Sequence, residues 1–461
     1  MKDIILFLSD QHTQNIIGYE NQKVDTPFFN EVANNGLVYN HCMCNAPLCV
    51  PSRMSFLSGK SASHLNIFNN DTTLGIDVPT MAHALKLQGY KSVLIGRMHF
   101  KGDDQLHGFD EHLAQDITSQ YWGRVEGKEE EYGAFHKTTQ MKYCQSNVGS
   151  GYSPVHAYDE HVVETALEYI KYKSDEPHFI VIGFYGPHFP YACENALYTK
   201  YQGRLSLDNT YYEPCDEAYA SLQQESTPVH VRNIKAAYYG NVETLDGYVK
   251  QCADYLSKHE VRETVYFYTS DHGDQCGRRG LFGKQTLYED ALKVPLLIWG
   301  KSIEHKRIET PVSLLDISRT ILDMGNASLH EHEGTSLLKL EDNHFVHVEH
   351  CLDAHGLQII EALYFNQYKL VQINGKLRLY NIIKDEAELN DLSYENSELV
   401  NKMQKHLLSN NEKRDLIEKE IAQRANHEIL KKWGTIKQPN EFARFINPKK
   451  ACGKAKENKE D

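Results

Sequence analysis

Short apolar runs alternate with amphipathic helical patterns along most of this sequence, and that alternation constrains the fold more than any other feature. The apolar runs lie within residues 4–8, 91–100, 178–190, 263–274 and 293–300. Apolar residues with helical spacing occupy residues 28–36, 78–90, 156–173, 234–259 and 313–325. Strands that alternate with helices predict a layered α/β fold around a buried sheet.

The pattern changes near residue 340. Residues 345–350, 362–373 and 376–383 are typical of short strands, and residues 397–426 have the spacing of a helix. We therefore predict a larger unit over residues 1–340 and a smaller α+β unit over residues 341–461. We expect residues 192–228 to form a long surface excursion. The tail from about residue 448 is highly charged and is expected to be disordered.

Four of the apolar runs end in polar clusters, at residues 10–12, 97–99, 187–188 and 271–274. Ligands bind beyond the carboxyl ends of the strands in α/β sheets, so we expect these clusters to converge on one site. Asp10 and Asp271 offer carboxylate oxygens, and their neighbours Gln11 and His272 add an amide and an imidazole. Such hard ligands favour Ca²⁺, Mg²⁺ or Mn²⁺ over a structural zinc ion.

The charge balance narrows the classes of partner. The chain of 461 residues carries a formal net charge of −14, which argues against nucleic acids and anionic membranes as partners. No apolar run has the length of a membrane-spanning helix, and the run at residues 4–8 is too short for an export signal. Ten cysteines are scattered without the compact spacing of a disulfide framework. These features predict a cytoplasmic protein with reduced thiols.

The pentapeptide C-V-P-S-R at residues 49–53 stands at the predicted start of a helix. A zinc site on Cys42, Cys44 and Cys49 is disfavoured because their spacing lacks the second half of such a motif. A cysteine phosphatase is disfavoured as well. Its phosphate loop needs more than the three residues that separate Cys49 from Arg53.

The pentapeptide resembles the C-x-P-S-R maturation signature of the formylglycine-dependent sulfatases. Residues 26–60 resemble the N-terminal block of that family, and residues 186–190 resemble its substrate-histidine block. Residues 269–300 resemble its second metal block, and residues 378–392 its C-terminal block. Within the family, residues 96–117 look most like the choline-sulfatase-like bacterial branch.

The resemblance implies an alkaline-phosphatase-like sandwich, with a large mixed β-sheet flanked by helices and a small C-terminal α+β subdomain. It also implies a sulfuric ester hydrolase in which a maturation enzyme oxidises Cys49 to formylglycine, whose hydrated aldehyde is the nucleophile. One divalent cation is implied, with Ca²⁺ favoured and Mg²⁺ or Mn²⁺ as alternatives. Its implied ligands are Asp10, Gln11, Cys49, Asp271 and His272.

The resemblance also implies substrate contacts. Arg97 and Lys284 would clamp the sulfate oxygens, and Asn70 would contact the sulfate, with Asn69 as a close competitor for that role. The family usually has Lys where this chain has Arg97, and an acidic residue where it has Gln11. Arginine keeps the positive charge but replaces a point donor with a planar fork.

Three more residues receive catalytic roles from the resemblance. Arg53 would hold the aldehyde hydrate and offset charge. His188 would protonate the leaving alcohol. His99 would take the proton from the second hydroxyl of the hydrate when sulfate leaves.

The predicted substrate is the sulfate monoester of a small molecule or small sugar, such as choline sulfate. For a quaternary ammonium, Trp122 would offer a cation–π face and Glu349 a counter-charge, although a structural role is favoured for each. The nearest alternative is a phosphonate monoester or phosphodiester hydrolase on the same scaffold. An alternative of another class is an inactive binding protein with unmodified Cys49. Assembly into a homo-oligomer stays open.

Overall fold

The computed structural model describes residues 1–123, 132–341, 343–354, 356–441 and 444–445. Its strands, in chain order, are β1 (Asp3–Asp10), β2 (Leu37–Met43), β3 (Lys91–Gly96), β4 (Glu111–Leu113), β5 (Gly149–Ser150), β6 (His178–Pro187), β7 (Ala192–Cys193), β8 (Thr264–Ser270), β9 (Lys293–Gly300), β10 (Lys306–Ile308), β11 (Val312–Ser313), β12 (Phe345–Asp353), β13 (Leu357–Phe365), β14 (Tyr368–Ile373) and β15 (Lys376–Asn381).

A mixed sheet of nine strands forms the centre of the molecule. Its strands lie in the order β10-β2-β9-β8-β1-β6-β3-β4, and β11 pairs with β2. The pairs β8–β1, β1–β6 and β6–β3 are parallel, whereas β9 runs antiparallel to both β8 and β2. Four neighbouring strands therefore present their carboxyl ends at the same edge of the sheet.

Helices cover both faces of this sheet. Successive side chains of β1 point to opposite faces, and both sets are buried. Ile4, Leu6 and Leu8 pack in one core layer, and Ile5 and Phe7 pack in the other. The first layer includes residues of the helices Cys49–Ser58, Met81–Leu87 and Leu314–Met324. The second includes residues of the helices Pro27–Asn35, Pro154–Tyr172 and Pro228–Lys258. Further helices are Ala62–Leu65, Asn195–Arg204 and Glu289–Leu292.

Strands β12 to β15 form a small antiparallel sheet in simple hairpin order. Val348 and Ile360 of this sheet belong to the same core cluster as Leu6 of β1, so the small sheet packs onto the large one. The helices Ser397–Gln404 and Asn410–Lys437 complete the C-terminal part. The proposed division at residues 340 and 341 stays a prediction, and the tail beyond residue 445 lies outside the described residues.

Two expectations about local structure need correction. The single helix predicted over residues 397–426 is interrupted after Gln404, and the second helix starts at Asn410 and continues to Lys437. The side chains of Ser409 and Glu412 form a reciprocal capping box at that start, a signal present in the sequence. The predicted surface excursion at residues 192–228 contains the helix Asn195–Arg204, whose Tyr198 and Tyr201 are fully buried.

Among the described residues, no helix combines the length and the apolar character that crossing a membrane requires. The nine cysteines in this part of the chain are free thiols.

Candidate active site at the carboxyl edge of the sheet

The strands β8, β1, β6 and β3 bring the four polar clusters to one edge of the sheet. Asp10 is the last residue of β1 and pairs with Pro187 of β6, the residue before His188. Arg97 follows the end of β3, and Asp271 follows the end of β8. Side chains separated by up to 261 positions thus lie side by side because their strands are neighbours.

A candidate metal centre lies at this edge. Asp10, Cys49, Asp271 and His272 are buried, and each offers one ligand atom within 4.8 Å of the others. The Nδ1–H of His272 donates to the carbonyl oxygen of Gly273 at 3.1 Å, so Nε2 carries the lone pair and faces Cys49 Sγ at 3.3 Å. That Nε2 lies 3.6 Å from Asp271 Oδ2 and 3.8 Å from Asp10 Oδ1. A lone pair that faces two carboxylates fits a cation held between them.

The electrostatics of the centre agree with that fit. Burial and the neighbouring Asp10 carboxylate raise the pKa of Asp271. Burial also opposes the ionisation of Asp10, but nearby cations, Arg97 foremost, hold its pKa well below the usual value. Burial lowers the pKa of His272, so its ring is neutral. Two crowded carboxylates with a neutral imidazole form a donor set suited to a hard divalent cation.

Arg53 joins the two carboxylates of the centre. Its Nε donates to Asp271 Oδ2 at 2.8 Å, and a terminal nitrogen donates to Asp10 Oδ2 at 3.0 Å. The guanidinium is fully buried. Arg53 therefore holds the candidate metal ligands in position, and its other hydrogen bonds go to the backbone carbonyl oxygens of Ser9 and Arg97. Its predicted contact with the aldehyde hydrate stays a prediction.

Cys49 occupies the first turn of the helix Cys49–Ser58, where backbone N–H groups lack helical partners. Its Sγ lies 3.1 Å from Lys284 Nζ and 3.3 Å from His272 Nε2. Burial and the Asp10 carboxylate raise the pKa of the Cys49 thiol. The backbone N–H of Val50 donates to Asn70 Oδ1 at 3.0 Å, so Asn70 caps the same helix end. A helix start flanked by a lysine is a favourable place for an anion.

Arg97 is held by several groups at once. Its Nε donates to Asp10 Oδ2 at 2.6 Å, and a terminal nitrogen donates to Asp116 at 2.7 Å. The other terminal nitrogen lies 2.9 Å from Nδ1 of His99, and the guanidinium stacks 4.3 Å from the ring centre of Tyr185. Burial and Arg97 lower the pKa of His99. Because Nδ1 accepts from Arg97, the neutral ring of His99 carries its proton on Nε2.

His188 and Lys284 face the centre from the other side. The Nδ1–H of His188 donates to the carbonyl oxygen of Phe189 at 2.8 Å, and its Nε2 lies 4.0 Å from Asp10 Oδ1. Lys284 Nζ donates to Gln11 Oε1 at 2.8 Å. Gln11 Nε2 in turn donates to Asp274 Oδ2 at 2.6 Å. Gln11 thus orients Lys284, and its predicted role as a metal ligand stays a prediction.

The site opens into a cleft of about 300 Å³. Six predicted residues line it: Cys49, Asn70, Arg97, His99, His188 and Lys284. Its lining also includes Leu48, Asp71, Lys101, Thr118, Thr139, Gln140, Met141, Tyr185, Phe189 and Gln285. The cleft can therefore place an anion against Cys49 while the remainder of a ligand contacts the outer residues.

Asn69 and Asn70 point in different directions. Whereas Asn70 lines the cleft, Asn69 Nδ2 donates to Glu420 Oε1 at 2.9 Å, on the helix Asn410–Lys437. Glu420 is fully buried. Lys431 of the same helix forms a salt bridge with Asp71 at 3.0 Å. The C-terminal helix therefore supports the loop that carries Asn70.

Trp122 and Glu349 make contacts within the protein. Trp122 Nε1 donates to the carbonyl oxygen of Asp71 at 2.6 Å, and its ring stacks on His427. Glu349 Oε2 accepts from the backbone N–H of Ser63 at 2.8 Å. Neither side chain lines the cleft, although Trp122 contacts Asp71, which does.

Sequence analysis missed Asp116 as the partner of Arg97, and it assigned no role to Asp274. Asp116 lies within the segment that resembles the choline-sulfatase branch, but nothing local distinguishes it from other acidic residues there. Asp274 belongs to the polar cluster after β8, although its partner Gln11 is 263 positions away. Both act by holding another residue of the site.

Comparison with known proteins agrees with the predicted family and fold. The sulfatase family profile matches residues 2–327. A choline-sulfatase from Rhizobium meliloti (strain 1021) is 29% identical over 338 residues, which cover 66% of this chain and 64% of that protein. An arylsulfatase from Clostridium perfringens (strain 13 / Type A) is 24% identical over 475 residues, covering 90% of this chain and 95% of that protein.

The crystal structure of a phosphonate monoester hydrolase from Agrobacterium radiobacter has the same fold. It matches with a TM-score of 0.70 at 16% sequence identity, over 93% of this chain and 96% of that one. The architecture is thus the predicted alkaline-phosphatase-like α/β sandwich. The chain belongs to the sulfatase family.

Proposed function

We propose that this protein hydrolyses the sulfate monoester of a small molecule or small sugar, with Cys49 oxidised to formylglycine. The placement of Cys49 carries this proposal. It stands at a helix start in the family's maturation signature, 3.1 Å from Lys284 and within the candidate metal centre. An anion bound there meets the positive end of the helix dipole and the fixed positive charge of Lys284.

A divalent cation, Ca²⁺ in our proposal, would be held by Asp10, Asp271 and His272, together with Gln11 and the modified side chain of residue 49. When bound, such an ion acidifies an adjacent hydroxyl and polarises a sulfate oxygen. Arg53 supports this arrangement by fixing the two carboxylates.

The side chains around Cys49 would bind and orient the sulfate. Lys284 and Asn70 line the cleft beside residue 49, and Arg97 lies in the same wall. Their positive charge and hydrogen-bond donors would face the sulfate oxygens as charge develops on them. One hydroxyl of the hydrated aldehyde would attack sulfur and displace the alcohol as its S–O bond breaks. Loss of the proton from the second hydroxyl would then break the C–O bond to the sulfate, release sulfate and restore the aldehyde.

Two histidines would move protons. The Nδ1–H of His188 is engaged with Phe189, so Nε2 is the atom that would carry a proton to the leaving oxygen. His99 would accept a proton in the second stage. Because the Nδ1 lone pair of this ring faces Arg97, His99 can accept that proton at Nε2 only as the other neutral tautomer, in which Nδ1 carries the hydrogen and no longer accepts from the guanidinium.

The second candidate function is hydrolysis of a phosphonate monoester or phosphodiester. Two observations favour it: the fold shared with the phosphonate monoester hydrolase, and Arg97 in place of the usual lysine. A planar guanidinium suits phosphoryl oxygens as well as sulfuryl oxygens. The maturation enzyme as a partner and the cytoplasmic location belong to the proposal and rest on the sequence alone.

The experiment compares kcat/KM for nitrophenyl sulfate and a nitrophenyl phosphonate monoester, using protein whose formylglycine at position 49 is verified by mass spectrometry. A clear preference for sulfate supports the proposal, and a clear preference for the phosphonate supports the second candidate. The Cys49→Ala variant should remain folded and inactive. If Cys49 stays an intact thiol in the native host, the inactive binding protein is favoured instead.

A further inference from the structure

The C-terminal helix Asn410–Lys437 exposes an apolar stripe on the side that faces away from the protein. Ile421, Ile429, Trp433 and Ile436 are 54%, 66%, 46% and 85% exposed. At 100° per residue these four positions fall within an arc of about 120°. The buried positions of the helix, Leu416, Glu420, His427 and Gly434, lie on its opposite side.

Exposed apolar side chains are common singly, but a continuous stripe on one helix marks an interaction surface. A second copy of the chain carries an identical stripe and is the partner that the sequence itself supplies.

The stripe is complementary to itself. If two copies of the helix pack antiparallel about a two-fold axis at Ala425, residue 421 meets residue 429 and residue 418 meets residue 432. Ile421 then contacts Ile429 of the partner subunit, and Glu418 faces Lys432 of the partner subunit. Toward the ends of the contact, Trp433 faces Ile417 of the partner subunit, and Ile436 faces Arg414 of the partner subunit. Ala425 is small and exposed, so the two backbones can approach closely at the axis. A two-fold interface requires such self-complementarity.

The two charged residues of this pairing have no competing ion pair in the described part of the chain. Glu418 and Lys432 are exposed, and neither forms a salt bridge within the described ranges of the chain. Glu418 lies on one side of Ala425 along the helix and Lys432 on the other. An antiparallel pair therefore brings Glu418 of one copy beside Lys432 of the other. A parallel pair would place Glu418 beside its own copy and Lys432 beside its own copy.

We propose that two copies of this chain form a dimer through antiparallel packing of the helix Asn410–Lys437, centred on Ala425. The interface would use the side of the helix opposite Glu420, which contacts the loop that carries Asn70. Dimerisation therefore leaves the cleft open, and the proposal does not depend on which ester the protein hydrolyses.

Sedimentation velocity of the full chain over a range of micromolar concentrations tests this directly. We expect a dimer for the unchanged protein. Ile429→Lys should raise the dimer dissociation constant at least about tenfold, since it places two buried charges near the axis. Ile383→Lys is the matched control, because Ile383 is 56% exposed on a different part of the surface.

A charge-exchange cycle then identifies the orientation. Glu418→Lys and Lys432→Glu should each weaken the dimer, and the double exchange should restore it. A monomer at every concentration overturns the proposal. So does a dimer that is indifferent to Ile429→Lys, since its interface would lie elsewhere. A monomer whose thermal stability falls in Ile429→Lys also overturns it, because the stripe is then covered by the chain itself.

Discussion

Arg97 is the position at which replacement by the family's usual residue should be most damaging. Its guanidinium is buried and donates in three directions, to Asp10, to Asp116 and to His99. Lysine keeps the charge but concentrates its donors at one nitrogen. In Arg97→Lys the ammonium can engage Asp10 or Asp116, and the other contacts are lost.

The size of the effect follows from the contacts that disappear. A hydrogen bond to a charged group contributes about 1.5–3 kcal/mol net, so the loss of two such contacts costs about 3 kcal/mol or more. If the misplaced groups act in the transition state, kcat/KM falls about 100-fold. Asp116 still accepts hydrogen bonds from the backbone N–H groups of His99 and Thr118. Its buried carboxylate is therefore not left without partners, which limits the loss of stability.

The assay measures kcat/KM for nitrophenyl sulfate and the thermal unfolding midpoint, with the formylglycine content of each variant determined separately. Arg319→Lys is the control, because Arg319 forms a partly exposed pair with Asp323 that should contribute less than about 1 kcal/mol. Arg97→Met removes the charge and should be worse than Arg97→Lys. If kcat/KM of Arg97→Lys stays within about threefold of the unchanged protein and the unfolding midpoint does not move, the guanidinium of Arg97 does not organise the site.

Three further predictions concern the site and its support. His188→Ala should reduce hydrolysis of alkyl sulfates by about 100-fold or more but that of nitrophenyl sulfate much less, since only the poor leaving group needs a proton; equal losses would remove His188 from the acid role. Glu420→Ala removes the acceptor for Asn69 Nδ2 and should lower kcat/KM about tenfold, because the loop that carries Asn70 loses its support. Glu420→Gln keeps an acceptor oxygen and should retain the activity. Unchanged activity in Glu420→Ala would show that this hydrogen bond does not position the loop. Chelation of divalent ions should abolish turnover and lower the unfolding midpoint, because Asp10 and Asp271 then repel each other; add-back of Ca²⁺, Mg²⁺ and Mn²⁺ would rank the ions, and turnover that survives chelation would contradict the metal centre.

Features that depend on local periodicity and local spacing could be predicted before the fold was known. Alternating apolar runs and helical patterns predict the α/β sheet, and the polar residues after β1 and β8 predict a site at one edge. The pentapeptide at residues 49–53 predicts a special cysteine at a helix start, which is where Cys49 lies. Such features are encoded within a few neighbouring residues, so they are visible without knowledge of the fold.

The pairs of side chains that hold each other could not be predicted in this way, because they depend on how distant segments pack. Arg53 bridges Asp10 and Asp271 because β1 and β8 are neighbours in the sheet, an adjacency that no local pattern specifies. Asn69 and Asn70 are identical in type and adjacent in sequence, yet a helix more than 340 positions away engages one and leaves the other in the cleft. The energy of a buried charge depends on its partners in space, and those partners are set by strand order and by the docking of the C-terminal helix.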